Sequence, residues 1–239
     1  MSTNIERRNF IMNSAIIAGT TAAAAAVPGR IYAETQTAAT PITYEVMPLP
    51  IDPAKVQGIS EKLLVSHHDN NYAGAVMRLN AITVQLANLD WATAPTFLVN
   101  GLKREELIAT NSMILHEHYF NVLGGDGKVS GALARAIARD FGSVDRWRAE
   151  FTALGKAEGG GSGWAILSYS HHFKRLFNSW AADHTTTLAG GRPVLVLDMY
   201  EHAYHIDYGA KAAAYVDAYM SGIKWDYAQA QFDSYVRTG

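Results

Sequence analysis

The chain has 239 residues, 49% of them hydrophobic, and a formal charge of −2, with 18% charged residues and no cysteine. Near-neutral charge excludes binding to nucleic acid through a Lys/Arg excess, because nothing would displace counterions from phosphates. The missing cysteines exclude disulfides, thiolate nucleophiles and Cys-ligated zinc or iron–sulfur sites, so any metal must sit on nitrogen and oxygen, which the nine histidines supply.

Residues 1–33 read as an address. Arg7-Arg8 precede an alanine-rich apolar stretch from Ile11 to Val27, and Ile31-Tyr32-Ala33 offers a cleavage site with Glu34 as the mature start. A basic start, an apolar middle and a small-residue exit form a secretory signal. The adjacent arginines make it similar to a twin-arginine signal, which implies an exported or periplasmic protein with no stable membrane anchor after removal. The stretch is too short and polar for a comfortable span. The segment holds three arginines and one glutamate, which leaves the rest of the chain at −4.

Residues 34–58 are rich in Thr, Ala and Pro without helical period and read as an extended arm. Ser60 is a plausible N-cap, and Leu63, Leu64, Val76, Leu79, Ile82 and Leu86 predict a long amphipathic helix. A second helix is expected from near Arg104 to Leu123, stopped by Gly124-Gly125-Asp126-Gly127. Residues 130–157 are again helical in pattern. Beyond Gly159-Gly160-Gly161, Trp164–Tyr169, Phe173–Phe177 and Pro193–Leu197 read as short strands, followed by helices near Ala210–Met220 and from Tyr227. The expectation is an α+β chain: an N-terminal helical hairpin over 34–125, then a C-terminal part over 126–239 with helices around a small three-stranded antiparallel sheet.

The densest polar cluster is Asp198-Met199-Tyr200-Glu201-His202-Ala203-Tyr204-His205, directly after an apolar strand. Asp198 and His202 converge if the chain turns helically between them. His67-His68 and the pair His116, His118 lie inside the two long helices. Three neutral imidazoles and a carboxylate would leave a divalent ion one positive charge, and the set suits iron, manganese or zinc.

Asp198-Met199-Tyr200-Glu201-His202-Ala203-Tyr204 resembles the D-x-W-E-H-A-Y signature of the iron/manganese superoxide dismutase family, with Tyr200 in place of tryptophan. Gly161-Ser162-Gly163-Trp164-Ala165 and the stretch from Gly131 to Ser143 match the same family, and the resemblance covers about residues 42 to 235. It implies His67, His116, Asp198 and His202 as ligands of one Fe or Mn ion per chain, cycling between 2+ and 3+ with a bound water or hydroxide. His118 is the rival to His116, but it breaks the match to Leu123. The substrate implied is superoxide, dismuted to oxygen and hydrogen peroxide. A homodimer or tetramer is implied too, with Glu201 reaching the partner's ligand histidine and Trp164 and Tyr200 around the metal. No cofactor beyond the metal is expected.

Departures from the pattern accompany these matches. The family's gateway histidine and tyrosine, four and eight residues past the first ligand, are Asn71 and Ala75 here, and the tyrosine three past the last ligand is His205. Tyr72 or His205 is expected to rebuild the gateway. Ser112 cannot supply the glutamine that usually bonds the metal-bound solvent, so His184 is assigned that role, while His171 and His172 are surface residues. Lys103, Arg104 and Arg192 are candidates for steering the anion. Two alternatives stay open: a metal-binding relative with little or no turnover, and a zinc hydrolase.

Overall fold

A computed structural model describes residues 40–159 and 161–238; the expected export signal lies outside them. The arm is extended apart from a 3-10 turn at Pro53–Lys55. It lies along the first long helix, where Tyr44 N–H donates to Asn80 and the Asn80 amide donates back to the Tyr44 carbonyl.

The first helix starts at the predicted cap. The Ser60 hydroxyl accepts from Leu63 N–H at 3.1 Å, filling one of the donors that a helix start leaves without a partner. The helix is not uniform: α1 (Glu61–Ser66) passes into a π-helical turn (His67–Tyr72) before α2 (Ala73–Ala87). Such wide turns are rare and concentrate at functional sites. The second long helix, α3 (Thr96–Asn121), begins eight residues before the expected start. Pro95 precedes it with extended backbone, a conformation that proline fixes and that suits a helix entry. Hydrophobic periodicity missed this first part because its large apolar residues Phe97 and Leu98 are exposed.

The 130–157 stretch forms two helices, α4 (Gly131–Phe141) and α5 (Val144–Ala157). Gly142 at φ +92° ends α4, and the Ser143 hydroxyl caps α5 through Arg146 N–H. Three antiparallel strands follow: β1 (Trp164–Ser170), β2 (Arg175–Ala181) and β3 (Gly191–Asp198), in the order β2-β1-β3. β2 runs four residues past the expected end of the second strand, while Phe173 stays in the turn. β1, covered on both sides, is buried at every position; β2 is an edge strand in which Leu176 and Ala181 alone are buried. A 3-10 turn (Glu201–Ala203) and α6 (His205–Tyr208), α7 (Ala212–Ser221) and α8 (Trp225–Arg237) complete the chain.

Helix α5 lies so close to the sheet that a Cβ on Gly155 would come within 2.6 Å of the Leu197 side chain. Trp147 and Phe151 from the same helix are fully buried, each contributing about 2–3 kcal/mol of apolar transfer. Most relevant for function is the strand register. Trp164, at the start of β1, pairs with Asp198, at the end of β3, and with Ala181, at the end of β2. All three strands therefore finish at one end of the sheet, facing the helices that carry His67 and His116.

Candidate metal centre

Four side chains from three parts of the chain meet at that end. Nε2 of His67 (π-helical turn), His202 (3-10 turn) and His116 (α3) lie 3.1, 3.3 and 3.5 Å from a single oxygen, Oδ2 of Asp198. One donor atom from each of the four falls within 4.8 Å of all the others. The rings of His67 and His116 meet edge to face at 4.9 Å, and those of His67 and His202 at 4.7 Å. His118 sits outside the group, its ring against Tyr227 at 5.4 Å.

Hydrogen bonding alone does not account for this convergence. Nδ1 of His116 donates to the Ser112 carbonyl at 2.6 Å, so its Nε2 presents a lone pair. That lone pair is buried, has no hydrogen-bond partner among the described residues, and faces a carboxylate oxygen. Two electron-rich atoms opposed in a dry interior repel each other unless a cation lies between them. Donors about 2.1 Å from a common ion, spread at ordinary coordination angles, stand about 3.0–3.6 Å apart, which is the spacing seen between Oδ2 of Asp198 and each of the three Nε2 atoms.

Protonation favours the same conclusion. Burial lowers His67 and takes His116 down to about 3, so both rings are neutral at physiological pH. Burial works to raise the Asp198 carboxyl, but the imidazoles of His202 and His67 outweigh it and hold the group well below the usual range. Its other oxygen accepts Tyr200 N–H at 2.8 Å. Neutral nitrogens and one charged oxygen are the set a divalent or trivalent ion of borderline hardness takes.

Around the cluster, the Trp164 indole donates to Nδ1 of His184 at 3.0 Å, and the Asn111 amide holds the His184 carbonyl. Burial keeps His184 low, hence neutral, with its proton on Nε2. Tyr200 is stacked between His184 (4.6 Å, 13°) and His202 (5.3 Å, 19°). Burial raises its phenol to about 12.

A chamber of about 240 Å³ opens above the cluster, lined by Asn71, Ala75, Arg78, Ser112, His184 and His202 among others. Asn71 and Ala75 are thus where the helical spacing from His67 puts them. Tyr72 and His205 do not line this chamber, against the expectation of a rebuilt gateway. The Tyr72 ring turns the other way, its hydroxyl accepting from Met47 N–H and donating to Glu117; His205 is exposed at the start of α6. Neither does the chamber take its charge from Lys103, Arg104 or Arg192. Lys103 pairs with Glu106, Arg104 lies by Glu105, and Arg192 covers Tyr235. The cation at the chamber is Arg78, which sequence reasoning passed over; its place eleven residues past His67, in step with Asn71 and Ala75, is the signal that would have found it. Glu201 is exposed on the turn that carries His202.

Comparison with known proteins agrees with this geometry. Residues 129–231 match the profile for "Iron/manganese superoxide dismutases, C-terminal domain". The chain is 67% identical over 194 residues to a superoxide dismutase [Fe] of Cupriavidus metallidurans, covering 81% of this chain and 98% of that one. It is 37% identical to superoxide dismutase [Mn] 1 of Halobacterium salinarum (80% and 95% covered) and 35% to a superoxide dismutase [Fe] of Aquifex pyrophilus (77% and 88% covered). With relatives of both metals aligned over nearly their whole length, and three imidazoles gathered round one buried carboxylate, the chain belongs to the iron/manganese superoxide dismutase family.

Proposed function

We propose that the protein is a superoxide dismutase, converting superoxide to oxygen and hydrogen peroxide at one iron or manganese ion held by His67, His116, Asp198 and His202. The observation that carries this reading is the convergence of three Nε2 atoms on Oδ2 of Asp198 in a chain 67% identical to an iron superoxide dismutase. An iron or manganese ion held there would supply the sink and then the source for the single electron exchanged with each of two superoxide molecules, through its divalent and trivalent states.

The protein's own residues govern access, orientation and protons. The Ser112 carbonyl keeps the His116 lone pair aimed inward by accepting the Nδ1–H hydrogen bond. Trp164 occupies Nδ1 of His184, so the His184 proton stays on Nε2 as a donor toward an anion in the chamber. Tyr200, wedged between the His184 and His202 rings, holds the two at fixed separation.

The exposed Glu201 is read as contacting the ligand histidine of a second copy, giving a homodimer or a tetramer. Arg7-Arg8 and the alanine-rich stretch after them support export by the twin-arginine route to the periplasm. Among the described residues no helix is long and apolar enough to cross a membrane.

Purified protein reconstituted separately with iron and with manganese tests the function. Superoxide quenching by at least one form, at one metal per chain, is expected. Full metal occupancy without quenching by either form, or zinc as the sole metal found in isolated protein, overturns it.

A further inference from the structure

The end of the sheet opposite the metal cluster gathers exposed apolar tips from three segments of the chain. There β1 finishes at Ser170, which pairs with Arg175 at the start of β2 and Gly191 at the start of β3, about 20 Å along the strand from Trp164. Phe173, in the turn between β1 and β2, is 61% exposed; Leu188, just before β3, is 38% exposed; Val236, in the last turn of α8, is 47% exposed. The turn fixes where Phe173 stands: its N–H donates to the Ser170 hydroxyl, and Lys174 after it takes φ +51°, a conformation seldom adopted outside glycine and asparagine. The Leu188 carbonyl accepts Gly191 N–H at 2.9 Å, and Arg192 ties the end of α8 to β3 by donating to the Thr238 hydroxyl and covering the Tyr235 ring.

Cations surround these tips. Arg139, Lys174, Arg175, Arg192 and Arg237 are all exposed at this end. Asp140 is the acid among them, and Arg139 holds it. Arg175 spends its contacts on the Asp140 backbone carbonyl and the Phe177 ring, and Arg192 on a hydroxyl and a ring, so these contacts leave both charges uncancelled. On the flanks, Glu150 and Asp233 are turned to the Asn178 and Gln229 amides. A chain of net charge −2 thus collects positive charge where its turns expose apolar side chains.

Separate apolar tips do not form a groove for the anchor of a folded partner. They suit a fluid interface, which single aromatic and aliphatic side chains enter while neighbouring cations meet phosphates. A nucleic acid would use the cations, and Phe173 for stacking, but would leave Leu188 and Val236 in water.

We propose that this end of the sheet is a docking surface for a bilayer containing anionic phospholipid, entered by Phe173, Leu188 and Val236 while the arginines around them pair with headgroup phosphates. Docking is peripheral and reversible, and needs neither metal nor turnover. The chamber above the metal cluster lies at the other end of the sheet and stays open to solvent.

The described residues form one compact unit, so the metal-loaded chain from Glu34 onward is the sample, which removes the apolar stretch Ile11 to Val27 from the measurement. Flotation with vesicles of phosphatidylcholine alone, and of phosphatidylcholine with about one-third phosphatidylglycerol, measures binding. Binding to the anionic vesicles alone is expected, and it should weaken steadily with added salt. Arg175→Gln and Arg192→Gln should each weaken it about fivefold, and Phe173→Ser about tenfold, while Lys103→Gln on α3 should change nothing. Should Arg192→Gln unsettle α8 by uncovering Tyr235, Arg237→Gln at the chain end gives the same reading. Equal binding to both vesicle types, binding to neither, or indifference to all of these substitutions overturns the proposal. Tighter binding to single-stranded DNA than to vesicles, lost with the same substitutions, assigns the surface to nucleic acid and overturns it too. Docking by a protein without dismutase turnover would sink the functional reading alone.

Discussion

Trp164 and His184 are joined by one hydrogen bond, indole N–H to imidazole Nδ1 at 3.0 Å, and it decides which nitrogen of His184 carries the proton. The same tryptophan pairs in the sheet with Asp198, so a single residue touches both a metal-cluster carboxylate's strand and the nearest proton-bearing ring. Trp164→Phe keeps the packing and removes the donor. Superoxide turnover at equal metal content should then fall about tenfold, the worth of one well-placed donor, and the pH profile should change shape because Nδ1 is free to take a proton. His184→Gln, able to accept from the indole and donate onward, should retain most of the activity; His184→Leu should not. Steady-state rates across pH 6–9 check all three.

Asp207 secures the helix that begins the site. Its two carboxylate oxygens accept Ser60 N–H at 2.7 Å and the Ser60 hydroxyl at 2.6 Å, while the adjacent Tyr208 hydroxyl donates to the Gly58 carbonyl. The segment following His202 is thereby tied to the cap of the helix leading to His67. Asp207→Ala should destabilise the protein by about 1–2 kcal/mol through the lost cap and speed loss of the metal to a chelator. Asp207→Asn should show a smaller effect in both. Urea unfolding midpoints and chelator release rates measure the two.

How far the site could be read from residue order depended on the kind of information each part needed. The strand end at Asp198, the D-x-x-x-H spacing and the Ser60 cap are local signals, and each stands where the pattern put it. The α+β class followed in the same way from the change of period after the glycine run. What periodicity could not give was the start of α3, whose first turns are exposed, or the π-helical turn, which falls in the polar run from His67 to Asn71 where there is no apolar pattern to read. That turn bears on Tyr72, offered as a substitute for the family's missing gateway residues yet found bonded to the arm and to α3. Arg78 escaped notice because an arginine on a polar helix face looks like a solvated residue until the opposite wall of the chamber is known.

The position of Tyr72 separates bracing from catalysis. Its hydroxyl accepts Met47 N–H at 3.0 Å and donates to Glu117 at 3.0 Å, linking the arm to the helix beside His116. Next to it, Nε2 of His68 donates to the Met47 carbonyl at 2.8 Å, so both backbone polar groups of Met47 are held. Tyr72→Phe leaves Met47 N–H without its partner and should cost about 1–3 kcal/mol of stability. Turnover per bound metal should stay within about twofold of the parent, since the hydroxyl does not face the chamber. A tenfold fall in turnover with stability unchanged would return Tyr72 to the gateway.

Glu158 gives the protein a stability that depends on pH for a reason unrelated to metal binding. It stands at the C-terminal end of α5, 7% exposed, with Oε2 within 3.2 Å of where a Cβ on Gly163 would be. Burial, with the Asp198 charge adding to it, pushes the carboxyl up to about 8, and the negative end of the helix disfavours the ionised form further. The unfolded chain releases the same proton near the ordinary glutamate value of 4.5. Between those two values the folded protein binds more protons than the unfolded one, so stability falls as pH rises through the window and levels off above about 8. Glu158→Gln mimics the protonated carboxyl and takes that slope away. At pH 8.5 it should be more stable than the parent by about 1–3 kcal/mol, and at pH 4.5 nearly equal to it. Denaturant midpoints at pH 4.5, 6.5 and 8.5, at fixed metal occupancy, would show two curves converging at the acid end; parallel curves would mean that the Glu158 proton is not the source of the slope.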